Sequence, residues 1–91
     1  MTDRGHGMER QVAEIISRAT LVPLDRLTPE ARPEALGIDS LGLVEVIFAL
    51  EETFHIKVPF HAHHGAVGLD TSTVASITAG VQALVAARRA A

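Results

Sequence analysis

The sequence predicts an all-α fold, a small bundle of three main helices, and three observations predict it. Apolar residues recur at helical spacing in three separate runs. No run carries the strict two-residue alternation of a half-buried strand. With 91 residues, the chain can enclose one hydrophobic core but not two. Residues 1–91 are therefore expected to form a single domain, with the polar stretch 1–7 disordered.

In the first run, Met8, Val12, Ile15, Ile16 and Ala19 make one apolar stripe. Gly5 and Gly7 precede it and Pro23 follows it, so the first helix is expected over about 8–20. The segment 21–39 contains Pro23, Pro29 and Pro33, each of which disfavours helix at the residue before it. It also holds Leu24, Leu27, Leu36 and Ile38, too many apolar side chains for a free linker. A long ordered loop laid across the core is expected, with room for one helical turn.

The second helix is expected to start at Asp39-Ser40, both good N-cap residues, and to reach about His55. Leu43, Val46, Ile47, Leu50 and Phe54 form one stripe, and Leu41, Val44 and Phe48 form a second. One buried face accounts for one stripe only. The surplus stripe borders Glu45, Glu51 and Glu52. It is either a docking face, apolar and rimmed by carboxylates, or a surface covered by the last helix.

After Ile56-Lys57-Val58-Pro59, Gly65 and Gly68 interrupt any long helix, so a short irregular or helical third segment is expected over 60–71. Thr71, Ser72 and Thr73 are cap candidates for the last helix, where Val74, Ile77, Val81, Leu84 and Val85 keep helical spacing. Arg88 and Arg89 fall in its final turn, where cations suit the helix dipole. Gly80 is internal and costs about 1 kcal/mol relative to Ala.

Charge and composition narrow the function. Between Arg32 and Lys57 there is no Lys or Arg, while Glu34, Asp39, Glu45, Glu51 and Glu52 fall in that interval. The net charge is −3. Nucleic acid, which selects basic surfaces, is excluded as a partner, and proteins presenting Lys and Arg are favoured. Three Phe and no Tyr or Trp leave little with which to stack bases. The absence of cysteine excludes a disulfide framework, a thiolate zinc site and a cysteine nucleophile. No stretch is apolar enough to cross a bilayer and no signal peptide is legible, so a cytoplasmic protein is expected. His61, His63 and His64 lack a completing ligand set at conventional spacing. They are taken as a solvated tract, and no metal is expected; their protonation would add positive charge beside the acidic helix.

The sharpest local feature is Leu36-Gly37-Ile38-Asp39-Ser40-Leu41, which delivers a serine to a helix start. Free N–H groups and the positive dipole end suit that position to a phosphate. Ser40 can equally be a simple helix cap. As a hydrolase nucleophile it fails, because Gly37 and Gly42 give G-x-x-S-x-G, one residue off the nucleophile-elbow pattern, with no strand before it. No nucleophile–base pair or phosphate loop is legible elsewhere, so an enzyme is not expected.

Gly37-Ile38-Asp39-Ser40-Leu41, followed by Val44-Glu45-Val46 and by Leu50-Glu51-Glu52-Thr53-Phe54, resembles the acyl carrier protein family. The resemblance extends over nearly the whole chain. It implies an acyl-carrier-type bundle in which Ser40 receives 4′-phosphopantetheine from a phosphopantetheinyl transferase. The thiol of that arm then holds acyl chains as thioesters and carries them between acyl-synthesis and acyltransferase enzymes with basic docking surfaces. It implies further that Asp39, Leu41, Val44, Glu45, Phe48, Glu51 and Glu52 meet those partners, the protein acting as a monomer. An exposed acyl chain costs about 0.8 kcal/mol per CH₂, so a shelter is expected, lined by Val46, Ile47, Leu50, Ile56 and Ile77, with 60–70 as a movable wall.

The chain departs from the family pattern at two places. Gly42 stands where many members carry an acidic residue, and the segment 60–70 is longer than usual and His-rich. With Val46-Ile47-Phe48-Ala49-Leu50, that segment is similar to the specialised carriers that deliver very long acyl chains to lipid A. Polyketide, peptide-synthetase and ordinary fatty-acid carriers share the same core motif, and an unmodified acidic interaction module would share the bundle.

Overall fold

The computed structural model describes residues 4–58, 60–61, 66–67 and 69–90. Helix α1 spans Arg4–Thr20. It begins ahead of the expected residue 8, because Gly5 and Gly7 continue the helix instead of ending it; a glycine weakens a helix without forbidding it. Of the stretch 1–7, residues 1–3 lie outside the described residues. Val12, Ala13, Ile15 and Ile16 are buried, so the apolar stripe read from the sequence is the core face.

Leu21 ends α1 in the left-handed region, at φ 66°, a conformation that glycine would adopt more cheaply. Two bonds close the turn there. The Leu21 N–H donates to the Ser17 carbonyl at 2.7 Å, and the Ser17 hydroxyl donates to the Val22 carbonyl at 2.6 Å.

The segment 21–39 is an ordered loop with two 3-10 turns, Leu24–Arg26 and Pro33–Leu36. Leu27, Pro33 and Ile38 are buried and pin it to the core. Its carbonyls also do a helix cap's work at long range. Val74 N–H donates to Ala31 O at 3.0 Å and Ala75 N–H to Pro29 O at 2.9 Å, filling positions that otherwise lack partners at a helix start.

Helix α2 spans Ser40–Phe54 and stops at His55, which takes the left-handed conformation at φ 56°. Val46, Ile47 and Leu50 are buried, with Leu43 and Phe54 packed at the margin. Phe60–His61 (β1) and Ala66–Val67 (β2) then pair antiparallel, Phe60 opposite Val67 and His61 opposite Ala66. The sequence led us to expect an irregular or helical segment here and no strand. Phe, Val and His flanked by Pro59, Gly65 and Gly68 cannot build a helix of useful length, and a two-residue pair satisfies the backbone instead.

Helix α3 spans Val74–Ala90. Of the three cap candidates, Thr73 takes the role: its Oγ1 accepts from the Ser76 N–H at 3.0 Å. Helix α1 packs against both α2 and α3, whose backbones make no comparable approach to each other. Side chains therefore fill the space between α2 and α3, with Leu50, Ile77 and Val81 buried.

Gly80 has a packing reason. A Cβ there would overlap Leu69 Cδ1 and lie 3.3 Å from Leu69 Cγ. The buried Leu69 thus uses the missing side chain as its seat, fixing the chain before α3 onto the helix. Gly80→Ala is expected to destabilise the fold although Ala is the better helix former. Overpacking costs about 1–3 kcal/mol, against a propensity gain of about 1 kcal/mol. Urea denaturation of the two chains checks the sign.

Candidate functional site

The turn Pro33–Leu36 and Gly37 set the approach to α2. Gly37 sits at φ 84°, where a side chain would be strained. Its N–H donates to Glu34 O at 3.1 Å, and the Ile38 N–H donates to Pro33 O at 3.0 Å. Ile38 is then buried, and Asp39 becomes the cap of α2: its Oδ1 accepts from the Gly42 N–H at 2.8 Å. Between these two sits the Ser40 position, the first residue of α2 and exposed to solvent. Because Asp39 takes the cap, the Ser40 hydroxyl has no structural duty at the helix start.

Gly42 is also explained locally. A Cβ there would stand 3.1 Å from Ile38 Cγ2 and 3.3 Å from Asp39 Oδ1, so the cap itself crowds the position.

Two open grooves flank Ser40. One, of about 530 Å³, is lined by Ser40 itself, by Arg32, Ile38 and Leu43, and by Asp70–Ser72 ahead of α3. The other, of about 250 Å³, lies between the end of α1 and the first turns of α2, with Val22, Leu36, Leu41 and Glu45 in its wall. The Ser72 N–H donates to Asp70 Oδ1 at 3.0 Å. That bond, with help from the Ser72 hydroxyl, holds the Asp70 carboxyl below the usual carboxylate range, so it is ionised at neutral pH.

The surplus stripe of α2 is open. Leu41 is 67% exposed and Phe48 63%, with Val44 half-buried between them, so α3 does not cover this face. Glu45 and Glu52 stand exposed beside it. Glu51 differs from the expectation that placed it with them. It is half-buried, and its Oε2 accepts from the Val58 N–H at 2.8 Å, tying the end of α2 to the segment after it. The carboxylate serves the fold there because the turn at His55 folds 56–58 back along the helix. The five side chains expected to shelter an acyl chain, Val46, Ile47, Leu50, Ile56 and Ile77, are all buried in one core. Of the histidine tract, the His61 side chain and residues 63–64 lie outside the described residues, as does part of the proposed wall 60–70.

Residues 10–81 match the family model described as a phosphopantetheine attachment site. The chain belongs to the acyl carrier protein family. Over 87 residues it is 36% identical to acyl carrier protein AcpXL of Mesorhizobium japonicum, covering 88% of this chain and 94% of that one. It is 40% identical over 50 residues to AcpXL of Brucella melitensis, covering 54% of each chain. It is also 38% identical over 77 residues to the D-alanyl carrier protein of Streptococcus pyogenes, covering 85% of this chain and 94% of that one.

As an acyl carrier protein the chain is not a catalyst but the substrate of a phosphopantetheinyl transferase, and it works with acyl-handling enzymes. Its covalent cofactor is 4′-phosphopantetheine, which supplies the thiol that the cysteine-free chain lacks. The site fits such a group. An exposed hydroxyl at a helix start, freed from capping and opening on a groove of small-molecule size, leaves room for a phosphate-linked arm without disturbing the core. No helix among the described residues is long and apolar enough to cross a membrane. Sequence reading missed Arg32 and Asp70–Ser72 as neighbours of Ser40. The Thr71–Thr73 capping signal was visible, but its approach to α2 depends on the long-range bonds to Pro29 and Ala31.

Proposed function

We propose that Ser40 is the attachment residue and that the carrier delivers very long acyl chains in lipid A synthesis, in the cytoplasm and as a monomer. The observation that carries the site is the Asp39 cap, which leaves an exposed serine hydroxyl at the head of α2. The cargo rests on the likeness to the Mesorhizobium japonicum AcpXL along almost the whole chain. The mass of the acyl group on protein isolated from its native host tests it: a very long acyl group is expected, and a short or aminoacyl group would contradict it. A D-alanyl cargo is the second reading, favoured by the Streptococcus pyogenes relative, and the same measurement separates the two.

In this reading Leu41, Val44 and Phe48 form the apolar part of the partner face, with Asp39, Glu45 and Glu52 as its carboxylate rim. Partner enzymes bring basic docking surfaces to it. Exposed ion pairs contribute about 0.2–1 kcal/mol each, enough to steer a partner without trapping it. A shuttle needs fast association and ready release. The double reversal Glu45→Lys with Glu52→Lys is expected to slow association with the transferase about 10-fold or more at low salt, while circular dichroism stays unchanged. Stopped-flow binding at rising salt should show the wild-type rate falling toward that of the variant. Glu51→Lys is expected to cost stability as well, through the Val58 bond.

Between partners the acyl chain is sheltered among Val46, Ile47, Leu50, Ile56 and Ile77. Side chains, not backbone contacts, bridge α2 and α3, so the two helices can part around a guest. The pocket is then a minor state that its ligand stabilises.

A further inference from the structure

The far ends of α2 and α3 enclose a groove of their own, of about 570 Å³, at the opposite end of α2 from Ser40. His55, Ile56 and Lys57 line it from the turn after α2, and Leu84, Ala87 and Arg88 line it from the last turns of α3. Its charged lining is basic, whereas Glu34, Asp39 and Asp70 line the larger groove beside Ser40. Lys57, Arg88 and the adjacent Arg89 are exposed. Among the described residues the one ion pair joins Arg10 to Glu14, so these three cations have no carboxylate partner there. Arg88 and Arg89 suit the dipole at the end of α3, which accounts for two of them. Lys57 lies beyond both helices and has no such duty. In the last turn of α2, Glu51 is tied to the Val58 N–H, which leaves Glu52 as the exposed carboxylate. The floor between the cations is apolar: Ile56 is buried, Leu84 half-buried and Ala87 open to solvent.

An apolar floor rimmed by unpaired cations matches a surface that presents phosphate above hydrocarbon. We propose that this end of the carrier rests on anionic phospholipid membrane, with Lys57 and Arg88 against lipid phosphates and Leu84 and Ala87 toward the hydrocarbon beneath. The contact is superficial, since no helix among the described residues can cross the bilayer. Charge sets its orientation. The chain as a whole carries −3, so an anionic surface repels the acidic side and attracts only the basic end. A few cations and a small apolar floor give weak, reversible binding, as a shuttle requires. Helix α2 has 15 residues, which puts Ser40 about 22 Å along the helix from this end. Both the serine and the face formed by Leu41, Val44 and Phe48 are then left clear for partner enzymes. The inference goes beyond the cargo reading and agrees with it, because an acyl acceptor that is itself a lipid lies at a bilayer.

The test is flotation of the whole, unloaded chain with vesicles, so that no acyl chain can insert in place of the protein. Vesicles of equal parts phosphatidylglycerol and phosphatidylcholine are compared with vesicles of phosphatidylcholine alone. Binding to the anionic vesicles is expected, weakening as salt rises, with little binding to the neutral ones. Lys57→Gln and Arg88→Gln should each weaken it about fivefold, and the double variant about 25-fold, the effect of one cation apiece at an anionic surface. Arg18→Gln with Arg26→Gln removes the same charge from exposed positions elsewhere and should bind as the wild type does. Circular dichroism of all variants should match the wild type, since each replaced side chain is exposed. No binding to anionic vesicles, or equal binding to neutral ones, would overturn the inference. So would a double variant at 57 and 88 that binds like the wild type, or a control variant weakened as much as that one. Loading from coenzyme A, followed by intact mass, is read separately. A chain that gains mass and ignores anionic vesicles overturns this inference alone, whereas one that gains none overturns the Ser40 reading.

Discussion

A Ser40→Ala chain is expected to stay folded and to take up no phosphopantetheine. The sequence allowed Ser40 to be the helix cap, in which case its loss would cost about 1 kcal/mol. The structure gives the cap to Asp39, whose Oδ1 receives the Gly42 N–H. Ser40 is the first helical residue and exposed, and Ala is the better helix former by about 0.5 kcal/mol. Stability should therefore be unchanged or slightly raised. Asp39→Ala is the complementary variant and should lose about 0.5–2 kcal/mol of cap energy. Thermal unfolding and intact mass, measured on both chains, separate the two roles. Loading of Ser40→Ala at the wild-type rate would remove Ser40 from the attachment site.

Leu50→Ala is expected to be the most damaging single truncation on α2. Leu50 is fully buried in the core shared by all three helices. Deleting a buried Leu costs about 2–5 kcal/mol, through lost transfer energy and the cavity left behind. A domain of this size has a total stability of roughly 5–10 kcal/mol. The midpoint of thermal unfolding should fall by about 10 °C or more. The same variant bears on the acyl shelter. A long chain lodged beside Leu50 would refill the cavity, so the loss should be smaller in the long-acyl form than in the unloaded one. Equal losses in both forms would mean that the chain does not reach Leu50.

The parts of this account legible in the sequence are those carried by short-range periodicity and capping. The core stripe of α1, the start of α2 at Asp39-Ser40, the two apolar stripes of α2 and the capping triplet Thr71–Thr73 all depend on residues within about two turns of one another. Other features depended on partners distant in sequence. That α2's second stripe is uncovered follows from α3 packing on α1, which no local pattern encodes. Glu51 looked like another surface carboxylate because its partner, the Val58 N–H, lies beyond the turn at His55. Gly80 read as a weak point in α3 because its value lies in Leu69, eleven positions earlier in the chain. The start of α1 was misplaced for a different reason: glycine is a weak signal of helix ends, and here the helix runs through it. At the site, the serine at a helix start was legible, whereas the choice of Asp39 as its cap needed the Gly42 bond and the groove needed three separate segments brought together.

We propose that Ser40 carries the phosphopantetheine of this acyl carrier protein. Intact-mass spectrometry of the wild-type chain after incubation with coenzyme A and a phosphopantetheinyl transferase, followed by fragmentation, tests it most directly. One phosphopantetheine increment is expected per chain, carried entirely by the fragment that contains Ser40. An unchanged mass, or an increment on a fragment lacking Ser40, would contradict the account.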